Sequence, residues 1–162
     1  MKTYTIETRK EALKFSAAHL ASFADGSVER LHGHNYQVQA RLSGELDDAG
    51  MVLDVGALKR WVRELCDELD ERVLVALESP LIAVAVDEER VDLTCEGKRY
   101  CLPRTDCALL PLPNTTMEHL AHHLAERLAA RLRKDPAAAR MRRLRVTVSE
   151  TPGQSGAWTL DL

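Results

Sequence analysis

The sequence predicts an α+β fold: an antiparallel sheet with two helices packed on one face and a small β insertion between the helices. Three observations carry this. Segments near both ends alternate apolar and polar residues with the period of two that half-buried strands require. Two interior stretches place apolar residues at helical intervals with polar residues opposite. The elements run in the order β-β-α-(insertion)-α-β-β, and strands and helices grouped in this way make an α+β arrangement.

From the N-terminus, Lys2–Arg9 reads as a strand with Tyr4 and Ile6 on one face, and Glu11–Ala18 as its continuation or partner. Phe15, Ala17 and His19 alternate with Lys14, Ser16 and Ala18, so His19 continues an apolar face. A second long strand spans His32–Ser43. Its even positions, His32, His34, Tyr36, Val38, Ala40 and Leu42, form the buried face, while Gly33, Asn35, Gln37, Gln39 and Arg41 face out. Between these strands, Leu20–Leu31 contains the turn signal Asp25-Gly26. Gly44–Gly50 reads as a turn, Met51–Leu53 as a short strand end, and Asp54 as an N-cap. Leu58, Trp61, Val62, Leu65 and Leu69 predict an amphipathic helix over Gly56–Asp70. A second helix spans Thr116–Lys134 on a stripe of Met117, Leu120, Ala121, Leu124, Leu128 and Leu132, and Asp135-Pro136 stops it. Two strands close the chain, Arg143–Ser149 and Ala157–Leu162, with Pro152–Gly156 as the turn. Between the helices, the short runs Leu81–Val86, Val91–Thr94 and Arg99–Leu102 suggest a hairpin insertion on the main sheet, at about residues 81–110.

At 162 residues the chain is long enough for one core, and a single domain over residues 1–162 is expected. The net charge of −3 with both signs mixed gives no nucleic-acid footprint and no polybasic membrane patch. No apolar run is long enough to span a membrane, and no apolar leader opens the chain, so a cytoplasmic protein is expected. Cys66, Cys95, Cys101 and Cys107 form no C-x-x-C and no disulfide framework; Cys66 reads as helix packing.

The chemistry concentrates at His19, His32 and His34. Two strands joined by the Leu20–Leu31 loop bring three imidazoles to one end of a sheet. Three neutral histidines with an open fourth position describe a catalytic zinc site. Histidines that bind nothing are the alternative, but three on matched faces within sixteen residues favour the metal. On the second helix, His119, His122 and His123 lie beside the apolar stripe and read as surface residues. Thr115-x-x-Glu118 reads as a capping box.

Phe15-Ser-Ala-Ala-His19 followed by Leu31-His-Gly-His-Asn-Tyr36 resembles the 6-pyruvoyltetrahydropterin synthase / 6-carboxytetrahydropterin synthase family. The resemblance implies the T-fold, a homo-oligomer (typically a hexamer) with sites at subunit interfaces, and activity on 7,8-dihydroneopterin triphosphate. It implies Zn2+ held by His19, His32 and His34. Common members carry a cysteine four residues before His32, where this chain has Val28; Glu29 instead resembles a subgroup in which glutamate replaces that cysteine. That subgroup cleaves the substrate side chain to 6-hydroxymethyl-7,8-dihydropterin for folate synthesis. Asp70 matches the aspartate of the family's Asp-His pair after the first helix, while Glu71 replaces its histidine, and the resemblance implies a catalytic set of Glu29, Asp70 and Glu71. Asn114–Glu118 resembles an Asn-Pro-Thr-x-Glu segment and implies that Thr116 contacts substrate, while Glu150 in Glu150-Thr151 matches the glutamate that anchors the pterin. A carboxylate suits that task, offering two acceptor oxygens to two donors. The expected protein is a zinc-dependent pterin-forming lyase, with 6-carboxy- or 6-pyruvoyltetrahydropterin synthesis, or non-catalytic zinc and pterin binding, as alternatives.

Overall fold

The computed structural model describes residues 2–9 and 12–162. Its elements are β1 (Tyr4–Thr8), β2 (Lys14–His19), β3 (His32–Gly44), α1 (Val55–Asp67), β4 (Arg72–Ala76), β5 (Ala83–Val86), β6 (Arg90–Cys95), β7 (Lys98–Pro103), β8 (Cys107–Leu110), α2 (Met117–Leu132), β9 (Met141–Thr151) and β10 (Gln154–Asp161). The predicted start of the second strand, at Glu11, lies outside the described residues.

β3 is the spine of the sheet. Along one side it pairs with β2 over His32–Gln37 and with β1 over Ala40–Gly44; along the other it pairs with β9. Tyr36, Val38, Ala40 and Leu42 are buried while Gln37 and Arg41 are exposed, so the alternation read from sequence sets the register. Both helices lie on the face that those residues share, and Leu58, Val62, Leu65, Leu120, Leu124 and Leu128 close the core over it. Fully burying each such leucine contributes roughly 1.5–3 kcal/mol. Cys66 is buried in the same core, as expected of a packing thiol.

The class is α+β, but the sheet is mixed rather than antiparallel throughout. Its order is β10-β9-β3-β2-β4-β8 with β1 beside β3, and β4 runs parallel to both β2 and β8. β4 is absent from the predicted β-β-α-α-β-β order because Arg72–Ala76 is a short apolar run without alternation, which periodicity cannot separate from a helix end. The turn before it is built from side-chain chemistry. Asp54 caps α1 by accepting the N–H groups of Gly56 and Ala57, and the helix ends at Asp67 rather than at Asp70. Asp70 is drawn off the helix: its carboxylate accepts the Ser16 N–H at 2.7 Å, while the Glu71 N–H donates to the Ser16 carbonyl at 2.7 Å. Glu71, at φ 55°, then turns the chain into β4.

Met51–Leu53 forms no strand; Val52 and Leu53 are buried from a bend instead. The insertion also differs from expectation. β5, β6 and β7 form a separate three-stranded sheet, and only β8 joins the main one. The small sheet encloses a second core with Val91, Leu93, Cys95, Cys107, Val75, Leu20 and Val28. Val75 alternates with Leu74, which belongs to the first core, so the small sheet covers the face of β4 opposite the helices. β9 and β10 extend to a tight turn at Pro152-Gly153, shorter than the predicted turn. β10 passes against the start of α2 so closely that a Cβ on Gly156 would lie 2.6 Å from the Glu118 nitrogen. Among the described residues no helix is long and apolar enough to cross a membrane.

Candidate functional site

The apolar faces of three strands end in polar residues at one place. On β2, Phe15 and Ala17 lead to His19; on β3, Tyr36 leads to His34 and His32; on β9, Val146 and Val148 lead to Glu150. Each polar residue keeps the parity of the buried residues before it, so the pattern that builds the core also aims these groups into a common space. Cross-strand register sets His19 against His32 and Ala17 against His34. The ring centroids are 4.8 Å apart for His19–His32 and His32–His34, and 5.4 Å for His19–His34. One nitrogen from each ring lies within 4.8 Å of the others.

The hydrogen bonds fix which nitrogens face inward. The His19 Nδ1–H donates to the Thr115 carbonyl at 3.1 Å, with the Thr115 hydroxyl oxygen also 3.1 Å away. That leaves the His19 Nε2 unprotonated, buried and without a hydrogen-bond partner. Burial is the largest influence on this ring; although the Thr115 carbonyl favours the charged form, His32 and His34 oppose it, and the pKa falls to about 4. A buried nitrogen lone pair with no donor to meet it is costly; aimed among two further imidazoles, it matches a metal ligand. The His32 Nδ1–H donates to the Arg30 carbonyl at 2.7 Å, which leaves Nε2 as the nitrogen that can face a metal. The three residues can hold a metal ion, with backbone carbonyls orienting two of the rings.

Thr115 does not start a capping box, as its sequence context suggests. The N-cap is Thr116, with no side-chain cap bond, and the Thr115 hydroxyl donates to the Leu20 carbonyl. The residue is 1% exposed and ties the α2 entrance to His19. Thr115→Val keeps the carbonyl and removes the hydroxyl. The expected result is a loss of divalent-metal affinity of about tenfold, the low end for an outer-shell change, measured by competition with a chromophoric chelator.

Two carboxylates flank the cluster. A Glu29 oxygen lies 3.7 Å from His32 Nε2, and a Glu150 oxygen lies 3.9 Å from His34 Nε2. These groups line a cleft of about 360 Å³ with Phe23, Thr116, Met117, Glu118 and Gln154. That volume suits a small ligand. The Tyr36 hydroxyl is buried beneath the cluster, and burial, followed by the Glu150 charge, pushes its pKa up. Asp70 and Glu71 are not among the residues lining this cleft. Glu71 lines a separate cavity of about 500 Å³ with Ser16, Gly33, His34 and Asn35. Sequence reading missed Phe23 and Gln154, which carry no motif, and Thr115, whose pattern fits a cap equally well. It also placed His119, His122 and His123 on the surface. All three are half-buried: His122 stacks on Trp158 with centroids 4.3 Å apart, and burial lowers the pKa of His123, whose Nε2 has no partner.

The family model for 6-pyruvoyl tetrahydropterin synthase matches residues 8–159. A Methanocaldococcus jannaschii protein provisionally named 6-carboxy-5,6,7,8-tetrahydropterin synthase is 33% identical over 147 residues, covering 90% of this chain and 89% of its own. The crystal structure of 6-pyruvoyl tetrahydropterin synthase from Plasmodium vivax superposes with a TM-score of 0.93 at 28% identity, covering 100% of both chains. Two further structures of that protein, at 27% identity and TM-score 0.93, carry alanine and cysteine in place of a catalytic glutamate. The chain belongs to the 6-pyruvoyl tetrahydropterin synthase family.

Proposed function

We propose that this protein is a zinc-dependent lyase that cleaves the side chain of 7,8-dihydroneopterin triphosphate, or a close relative, to leave 6-hydroxymethyl-7,8-dihydropterin. The observation that carries the reading is the Glu29 carboxylate, 3.7 Å from His32 Nε2 in the cleft that also holds Glu150. No cysteine lines that cleft, and Val28, where common members carry one, is buried in the second core. The catalytic glutamate of the P. vivax protein supports the same assignment.

His19, His32 and His34 would hold the zinc ion, which when bound would supply a Lewis acid to the side-chain hydroxyls. Glu29 takes the proton from the hydroxyl next to the scissile carbon–carbon bond. As that bond breaks, the hydroxyl carbon leaves as an aldehyde, and the protonated Glu29 returns the proton to the carbon retained on the ring. Glu150 accepts hydrogen bonds from the pterin N–H and amino groups, and Thr116 contacts the substrate from the α2 entrance. Asp70 and Glu71 do not line the cleft of their own chain, so their proton-transfer role belongs to a neighbouring copy in a homo-oligomer, a hexamer by family resemblance. Free thiols at all four cysteines support a reducing, cytoplasmic setting.

A second reading, 6-carboxytetrahydropterin synthesis, is favoured by the name of the archaeal relative. Incubation of zinc-loaded protein with 7,8-dihydroneopterin triphosphate and mass analysis of the pterins decides between them. A 6-hydroxymethyl product is expected. A 6-carboxy or 6-pyruvoyl product would reject the cleavage in favour of that reading, and bound but unchanged pterin would indicate a binding protein.

A further inference from the structure

The inserted β5–β7 sheet sends one side chain back toward the cleft. β6 and β7 are joined by a two-residue turn, Glu96-Gly97, with Cys95 paired to Lys98. Both turn residues have positive φ, 47° at Glu96 and 74° at Gly97. Hairpin turns of this kind favour asparagine, aspartate or glycine at the first position, and a glutamate there is held in a sparsely populated conformation. Its carboxylate accepts the Val28 N–H at 3.0 Å and the Lys98 ammonium at 3.0 Å.

Val28 needs that acceptor. The loop between β2 and β3 folds on itself through a Ser22–Val28 bridge, closed by Phe23 N–H to the Ser27 carbonyl and Glu29 N–H to the Ala21 carbonyl. The Val28 N–H therefore points out of the loop, on a residue only 7% exposed, and would be left without a partner were Glu96 absent. Packing reinforces the contact, because Leu20 and Val28 share the second core with Val91, Leu93 and Cys95 of the insertion. The Val28 N–H and then Lys98 hold the Glu96 carboxyl below its usual range, consistent with a bond made to the ionised group.

We infer that Glu96 is a positioning residue: the insertion braces the Val28–Glu29 backbone through it, and thereby sets the Glu29 carboxylate beside the histidine cluster. The functional half of this inference rests on the proposed role of Glu29.

Two variants separate the brace from the turn. Glu96→Asn puts a favoured residue in the turn but shortens the side chain by one methylene, so it no longer reaches Val28. Glu96→Gln keeps the length and an acceptor oxygen. In the zinc-loaded protein, Glu96→Asn is expected to lower kcat by about 10- to 100-fold with KM little changed, the scale of a small misplacement of a catalytic group. Hydrogen exchange across residues 20–31 should accelerate in this variant, while Glu96→Gln stays near the parent in both readouts. The double variant Glu29→Gln/Glu96→Asn should be no slower than Glu29→Gln alone. Unchanged exchange in Glu96→Asn, or a further rate loss in the double variant, would overturn the inference with the role of Glu29 intact. Parental turnover in Glu29→Gln would instead reject the catalytic reading of Glu29, and with it the functional half of the brace.

Discussion

Replacing Glu29 by glutamine is expected to lower turnover of the dihydropterin substrate by about 10²–10⁴-fold, the usual contribution of a positioned general acid/base. Glutamine keeps the size of the side chain and its hydrogen-bonding oxygen but cannot carry a proton between substrate atoms. Glu29 lies 3.7 Å from His32 Nε2, beside the ligand set rather than among the three histidines, so zinc content should remain at the parental level. Pterin affinity should also hold, because the proposed anchor is Glu150, on β9. The measurement pairs single-turnover rates with metal analysis and pterin titration. A loss of rate that tracks a loss of metal would show Glu29 acting on the site rather than on the proton.

The second large effect is expected at His34. Replacement by alanine should remove stoichiometric zinc and reduce turnover to background, since a two-histidine remnant lacks the three protein ligands of a catalytic site. His34 is the better choice for this experiment than His19. The His34 side chain is 24% exposed and its strand neighbours Gly33 and Asn35 face outward, whereas His19 is buried and bonded to Thr115. His34→Ala should therefore cost less than about 1 kcal/mol in urea unfolding of the metal-free protein, the range of substitutions away from the core. Retained stoichiometric zinc would exclude His34 as a ligand. A large fall in metal-free stability would show that the ring is structural.

The residues that meet in the cleft were legible because strand alternation is a strong signal. His19, His32 and His34 keep the parity of Phe15 and Tyr36, so one rule locates the core and the candidate metal ligands together. Glu150 follows Val148 for the same reason. β4 was hidden because a short buried parallel strand has no outward face to alternate with. The end of α1 was set by Asp70 and Glu71 bonding to Ser16, a partner 54 residues from Asp70 in sequence, and helical periodicity is blind to such a contact. Thr115 illustrates competition between two local motifs: its hydroxyl suits a helix cap, but Leu20 and His19 lie closer in space. The insertion was visible as β-like runs. Its separate sheet was not, because the residues that divide it from the main sheet are ordinary turn residues.

The central place of β3 has a consequence for the order in which the protein assembles. One side of this strand meets β1 and β2, which precede it in the chain, but its other partner is β9, with Gln37 opposite Ser149. Both helices and the whole inserted sheet are synthesised between those two residues. Pairing at such separation favours slow folding, because loop closure must precede the reward of contact. Until β9 emerges from the ribosome, one edge of β3 stays open to pairing with another chain, a hazard that the outward-facing Arg41 moderates. The three histidines, by contrast, can meet as soon as β2 and β3 have paired, so the candidate metal site comes together during synthesis well before the strand that brings Glu150.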